Sequence, residues 1–112
     1  MALVTVAKKG DIANGKMIGV EVEGKKLLIA NIGGKLYAID AVCSHMGGDL
    51  AKGRLDSNVV ICPRHGSQFD VKTGKLVKGP GFAAKALTFG KGAQDQAAFA
   101  VVVQGNDVKV EV

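Results

Sequence analysis

No stretch of this sequence keeps its apolar residues in step with an α-helix for three turns, and that absence constrains the fold more than any other feature. Period-two alternation takes its place. It is plain in Ile18-Gly19-Val20-Glu21-Val22-Glu23 and in Val108-Lys109-Val110-Glu111-Val112, where one face meets a core and the other meets water. Leu27 to Ile32 and Phe99 to Val103 are nearly continuous apolar runs of strand length, expected to be buried on both sides. Turn signals separate the runs at Glu23-Gly24 and Gly33-Gly34. A third, Gln104-Gly105-Asn106-Asp107, joins the last two strands as a hairpin. The reading is all-β, with at most a short helical turn within Gly48 to Ser57. Residues 90–97 read as an exposed loop with no chemistry of its own.

The chain has 112 residues, enough for one domain with a core and too few for two ordinary ones, so a single domain over 1–112 is expected. Sixteen glycines and only five large aromatics suit short strands joined by tight turns. No window approaches the apolar run needed to cross a bilayer, and the opening MALVTVAKKG lacks the apolar stretch and cleavage site of a secretory signal. A soluble, cytoplasmic protein is the expectation, with no membrane or nucleic-acid partner. The net charge of +5 is unevenly placed. Residues 41–80 carry Lys52, Arg54, Arg64, Lys72, Lys75 and Lys78 against Asp49, Asp56 and Asp70. Such a balance is either a solvated face or a docking surface for an acidic protein.

Every cysteine and every histidine lies in two short segments, Cys43-Ser44-His45 and Cys62-Pro63-Arg64-His65. Thiolate and imidazole are the side chains that bind iron and zinc best, and a spacing of one or two residues lets a pair converge on one metal. Glycine follows each segment, as Gly47-Gly48 and as Gly66, allowing tight turns and close backbone approach. A lone disulfide is a poor framework for a chain without a secretory signal, so metal binding is the better reading of the cysteines. A structural zinc site has the right ligand count. Its ligands, however, normally run Cys with Cys and His with His along the chain.

The pattern C-x-H, sixteen residues, then C-x-x-H, within CSHMGGDL and CPRHGSQFD, resembles the cluster-binding signature of Rieske proteins. The likeness extends from the N-terminal strands to the closing hairpin. Gly79-Pro80-Gly81 is similar to the proline loop that covers the cluster in that family. The resemblance implies an antiparallel β-sandwich or barrel with an inserted cluster-binding subdomain at about 41–82, and one [2Fe-2S] cluster per chain. By that resemblance Cys43 and Cys62 would bind one iron, and His45 and His65 the other. Met46, Gly47, Gly48, Arg64, Gly66, Ser67, Phe69 and Pro80 would surround the cluster. Met46 would shield it, Ser67 would donate a hydrogen bond to sulfur, and Phe69 would chiefly pack the core.

Two departures stand out. Respiratory-chain relatives link their cluster loops by a disulfide, at positions that are Gly48 and Arg64 here, and they carry a tyrosine hydroxyl where this chain has Phe69. Losing one hydrogen-bond donor implies a potential in the lower half of the Rieske range of roughly −150 to +300 mV. The pattern is closer to the ferredoxins of aromatic-ring oxygenases and to sulredoxin. Because no second cofactor motif or nucleophile with a base is present, the resemblance implies a monomeric electron carrier and no catalytic activity of its own. It would take electrons from a reductase and pass them to an oxygenase. The alternatives are a small subunit of a nitrite-reductase-type complex and a structural zinc module.

Overall fold

The computed structural model describes residues 3–43, 48–64, 66–78 and 94–112. Within them the strands are β1 (Leu3–Lys8), β2 (Met17–Val22), β3 (Lys25–Ile32), β4 (Lys35–Asp40), β5 (Arg54–Asp56), β6 (Val59–Ile61), β7 (Gln68–Asp70), β8 (Leu76–Lys78), β9 (Ala98–Phe99), β10 (Val101–Gln104) and β11 (Asp107–Glu111). They form three antiparallel sheets, in the orders β1-β11-β10, β2-β3-β4-β9 and β5-β6-β7-β8. The helical content among the described residues is two short 3-10 turns, Lys9–Asp11 and Leu50–Lys52. The second lies inside the stretch expected to hold a helical turn. No helix of the described residues is long and apolar enough to cross a membrane.

The hairpins follow from their two-residue turns. Val22 pairs with Lys25 across Glu23 and Gly24, at φ 50° and 80°. Ile32 pairs with Lys35 across Gly33 and Gly34, at φ 65° and 93°. Two consecutive residues of positive φ give the turn whose twist matches that of the strands, and glycine adopts that region without a steric penalty. Asn14 and Asn31 hold the second turn by accepting hydrogen bonds from the N–H groups of Gly33 and Gly34.

Strand β3 is buried from Leu27 to Ala30, as its continuous apolar run predicts. Its alternate residues enter different cores. Leu27 and Ile29 pack with Ile12, Val22, Leu36, Ala38, Val108 and Val110. Leu28 and Ala30 pack with Ile39, Ala41, Cys43, Leu50, Val60, Cys62, Phe69 and Val71. The sheet containing β3 is therefore a middle layer: its first face meets the β1-β11-β10 sheet, and its second meets the cysteine-bearing region and the small β5–β8 sheet.

Two expectations are corrected. Phe99 to Val103 is not one strand buried on both sides. The chain changes sheets at Ala100, β9 pairing with β4 and β10 with β11, and Ala100 and Val103 are left exposed. Of the expected loop 90–97, residues 90–93 lie outside the described residues, and Gln96 is buried, not exposed.

Candidate metal centre

Cys43 follows β4 and Cys62 follows β6, so each leaves the end of a strand whose neighbours are pinned in a core. Both loops are closed at the base by the same device. The N–H of Cys43 donates to the carbonyl of Gly48 at 2.7 Å, and the N–H of Cys62 donates to the carbonyl of Ser67 at 2.8 Å. In each case the partner lies five residues on. The first loop is reinforced by a bridge between Val42 and Asp49 and by the N–H of Leu50 donating to Ala41. The second is tightened by the N–H of Gly66, at φ 80°, donating to the carbonyl of Cys62.

The loops meet at Gly48. A Cβ placed there would lie 2.9 Å from Cys62 Sγ and 3.2 Å from Arg64 Cβ. Any side chain would have to push the loops apart. Gly53 is equally constrained, since a Cβ there would lie 2.1 Å from the carbonyl oxygen of Ile61. Cys43 and Cys62, each 3 % exposed and neither in a disulfide, share one apolar cluster with Leu50, Val60 and fully buried Phe69. Arg64 is exposed beside them.

Ser67 carries the sharpest sign of a missing partner. Its hydroxyl is fully buried and meets no hydrogen-bond partner among the described residues. A buried hydroxyl left unpaired costs about 1–3 kcal/mol, so natural sequences seldom keep one without use. An acceptor bound between the two thiol-bearing loops would satisfy it. Two soft thiolates and an orphaned donor at one closed, apolar place suit a sulfide-containing iron cluster.

Of the residues singled out from sequence, Cys43, Gly48, Cys62, Arg64, Gly66, Ser67 and Phe69 are all at or beside this junction. His45, Met46, Gly47, His65 and Pro80 lie outside the described residues. Sequence reasoning missed Gln96. Its side-chain amide, 6 % exposed, donates to the carbonyls of Asp40 at 2.9 Å and Val42 at 2.6 Å, and its own N–H donates to the carbonyl of Gly74. It ties the approach to Cys43 to the turn between β7 and β8. No local motif marks such a residue, because the partners of its side chain lie more than fifty positions away.

Comparison with known proteins agrees with this geometry. Residues 2–104 match the family model described as the Rieske [2Fe-2S] domain. The chain is 35 % identical, over all 112 residues and 94 % of the relative, to the ferredoxin component of biphenyl 2,3-dioxygenase from Rhodococcus jostii (strain RHA1). It superposes with a TM-score of 0.82 and 26 % identity on the ferredoxin of carbazole 1,9a-dioxygenase from Nocardioides aromaticivorans IC177, covering 98 % of this chain and 97 % of that one. It also matches a chain of a complex of reduced oxygenase and oxidized ferredoxin in carbazole 1,9a-dioxygenase, with a TM-score of 0.82, 28 % identity and coverage of 96 % and 91 %. Twin cysteine-anchored loops on an antiparallel scaffold and a family match over nearly the whole chain lead to one conclusion: this protein belongs to the Rieske [2Fe-2S] domain family.

Proposed function

We propose that this protein is a one-electron carrier, taking electrons from a reductase and delivering them to an oxygenase. The observation that carries the reading is the full-length likeness to the ferredoxin component of a dioxygenase, with both cysteines held at one apolar junction. The solved complex of a similar ferredoxin with its oxygenase supports the choice of acceptor. On this reading the protein acts as a monomer in the cytoplasm, and residues 1–112 form one Rieske domain with its cluster-binding part at about 41–82. The reductase donor follows from the need to refill a carrier that holds one electron.

A Rieske [2Fe-2S] cluster supplies reversible one-electron chemistry when bound. The residues of this chain do the rest. Cys43 and Cys62 would hold the cluster through thiolates, and His45 and His65 through neutral imidazoles. The paired N–H donations, Cys43 to Gly48 and Cys62 to Ser67, fix the loop backbone that carries both cysteines. Leu50, Val60 and Phe69 pack with both cysteines and exclude water from them, and the buried Ser67 hydroxyl would be available to donate to an acceptor of the bound cluster. Gly48 keeps the loops close enough for one group to span them.

Electron paramagnetic resonance of the dithionite-reduced protein tests the proposal. The expected spectrum has an average g-value below that of all-cysteine clusters, because imidazole replaces thiolate on one iron. Folded protein purified anaerobically without iron and acid-labile sulfide, or carrying zinc alone, would overturn it.

A further inference from the structure

We propose that the groove lined by Lys52, Gly53, Arg54, Ile61, Cys62 and Pro63 is the docking site for an acidic protein surface, an inference that rests on the electron-carrier reading above. The groove exists because Gly53 has no side chain. A Cβ on Gly53 would lie 2.1 Å from the carbonyl oxygen of Ile61 and 3.1 Å from Pro63 Cδ, and its chain neighbours Lys52 and Arg54 are exposed. The register of β5 on β6 sets Arg54 opposite Ile61, the residue before Cys62. Two residues after Cys62 comes exposed Arg64, whose Cβ and Cδ lie 3.2 Å and 3.6 Å from the Gly48 Cβ position. Three exposed basic residues thus belong to the neighbourhood of one iron-ligand candidate, two lining its groove and one two residues along the chain.

Among the described residues the neighbouring carboxylates do not neutralise Lys52 and Arg54. Asp49 is turned toward the backbone, accepting from the N–H of Ala51, and Asp70 accepts from Asn58 and from the N–H of Lys72. Asp56 sits at the opposite end of β5 from Arg54 and does not line the groove. Among the described residues neither Lys52 nor Arg54 has an ion-pair partner. The result is a local excess of exposed positive charge in the groove that Cys62 lines. Such charge steers association and fixes orientation more than it adds affinity, which suits a carrier that must dock and depart. Nucleic acid is disfavoured because the groove has no aromatic side chain among the described residues for bases to stack on. Tyr37 and Phe99, each with a lysine over its ring, lie on β4 and β9.

The test compares two charge-swapped variants of the cluster-loaded protein. Lys52→Glu/Arg54→Glu alters the groove. Lys9→Glu/Lys35→Glu alters a separate concavity, shared with Leu36, Val101 and Val103. Each pair removes four charges, taking +5 to +1, so a difference between them reports position and not net charge. The dithionite-reduced protein is mixed with hexacyanoferrate(III), which accepts one electron per cluster and becomes hexacyanoferrate(II), with and without poly-L-glutamate as a stand-in for an acidic surface. At low salt the groove pair is expected to react about tenfold more slowly than the wild type and to lose its inhibition by polyglutamate, while the remote pair stays within about twofold. Equal effects of the two pairs would overturn the proposal. So would a single-stranded oligonucleotide that blocks the wild type at tenfold lower phosphate concentration than polyglutamate carboxylate. Loss of the red-brown absorption from the wild type would instead refute the electron-carrier reading, so the two failures are distinguishable.

Discussion

The side-chain amide of Gln96 donates a 2.6 Å hydrogen bond to the carbonyl of Val42, the residue immediately before Cys43. A second donation from the same nitrogen reaches Asp40, and the Gln96 N–H holds Gly74. Gln96→Leu would leave two carbonyls without this donor at a buried site. The expected cost is about 1–3 kcal/mol of folding stability, seen as a lower urea midpoint. Iron should also leave faster, because the entry to the first cysteine loop loses its tie; chelator-driven bleaching measures that rate. An unchanged bleaching rate would show that the tie does not reach the ligand.

Ser67→Ala removes the buried hydroxyl while keeping the volume of the site nearly constant. If that hydroxyl donates to cluster sulfur, the reduced state loses more than the oxidised state, and the midpoint potential falls. One charge-assisted hydrogen bond of about 1.4 kcal/mol corresponds to about 60 mV for a single electron. Protein-film voltammetry reads the shift, and a midpoint that does not move would remove Ser67 from the cluster's surroundings.

Gly48 and Arg64 stand where a covalent staple would fit. An ideal Cβ on Gly48 lies 3.2 Å from Arg64 Cβ, slightly inside the roughly 3.5–4.5 Å span of disulfides. Gly48→Cys/Arg64→Cys is expected to form the cross-link after a small outward shift, detected as a linked peptide pair in a non-reducing digest. Gly48→Ala should be worse tolerated, because its methyl group meets Cys62 Sγ at 2.9 Å with no bond to compensate. Reduced cluster occupancy per chain, by iron analysis, is its expected signature.

Lys8 and Asp107 face each other in the register of β1 on β11 and form an exposed ion pair. The hydrogen bond and then the charge of Lys8 lower the Asp107 pKa, and the same two effects of Asp107 raise that of Lys8. A lowered carboxylate pKa adds stability above its unfolded value of about 4, and that stability is lost as pH falls through the folded value. A raised lysine pKa adds stability below about 10.4 that is lost as pH rises through its folded value. The pair therefore acts across the neutral range and fades at both extremes. Asp107→Asn should flatten the acid limb of a stability–pH profile slightly, and added salt should shrink the difference from wild type.

Much of the scaffold was legible in advance, for reasons that differ by element. Strands β2, β3 and β11 announce themselves by alternation or by a continuous apolar run, and each of their turns by a glycine that takes positive φ. The three-residue strands β5 to β8 are too short for any period to register, so the middle of the chain carries no strand signal of its own. Strand β4 was missed although it is six residues long: Leu36, Ala38 and Ile39 face different cores, which breaks simple alternation. The cysteine pair was visible because spacing is a local property. The groove beside Cys62 was not, since it depends on Gly53 meeting Ile61 and Pro63 across a strand pairing.

The two-sided burial of β3 has a consequence for how this molecule can vary. Sliding that strand by one position against its neighbours would send Leu28 and Ala30 into the pocket vacated by Leu27 and Ile29, and the reverse, disordering both interiors together. Neither half can drift in alignment while the other stays put. The redox end and the end that merely supports it are thus locked to a common alignment, and substitutions that retune one must respect the geometry of the other.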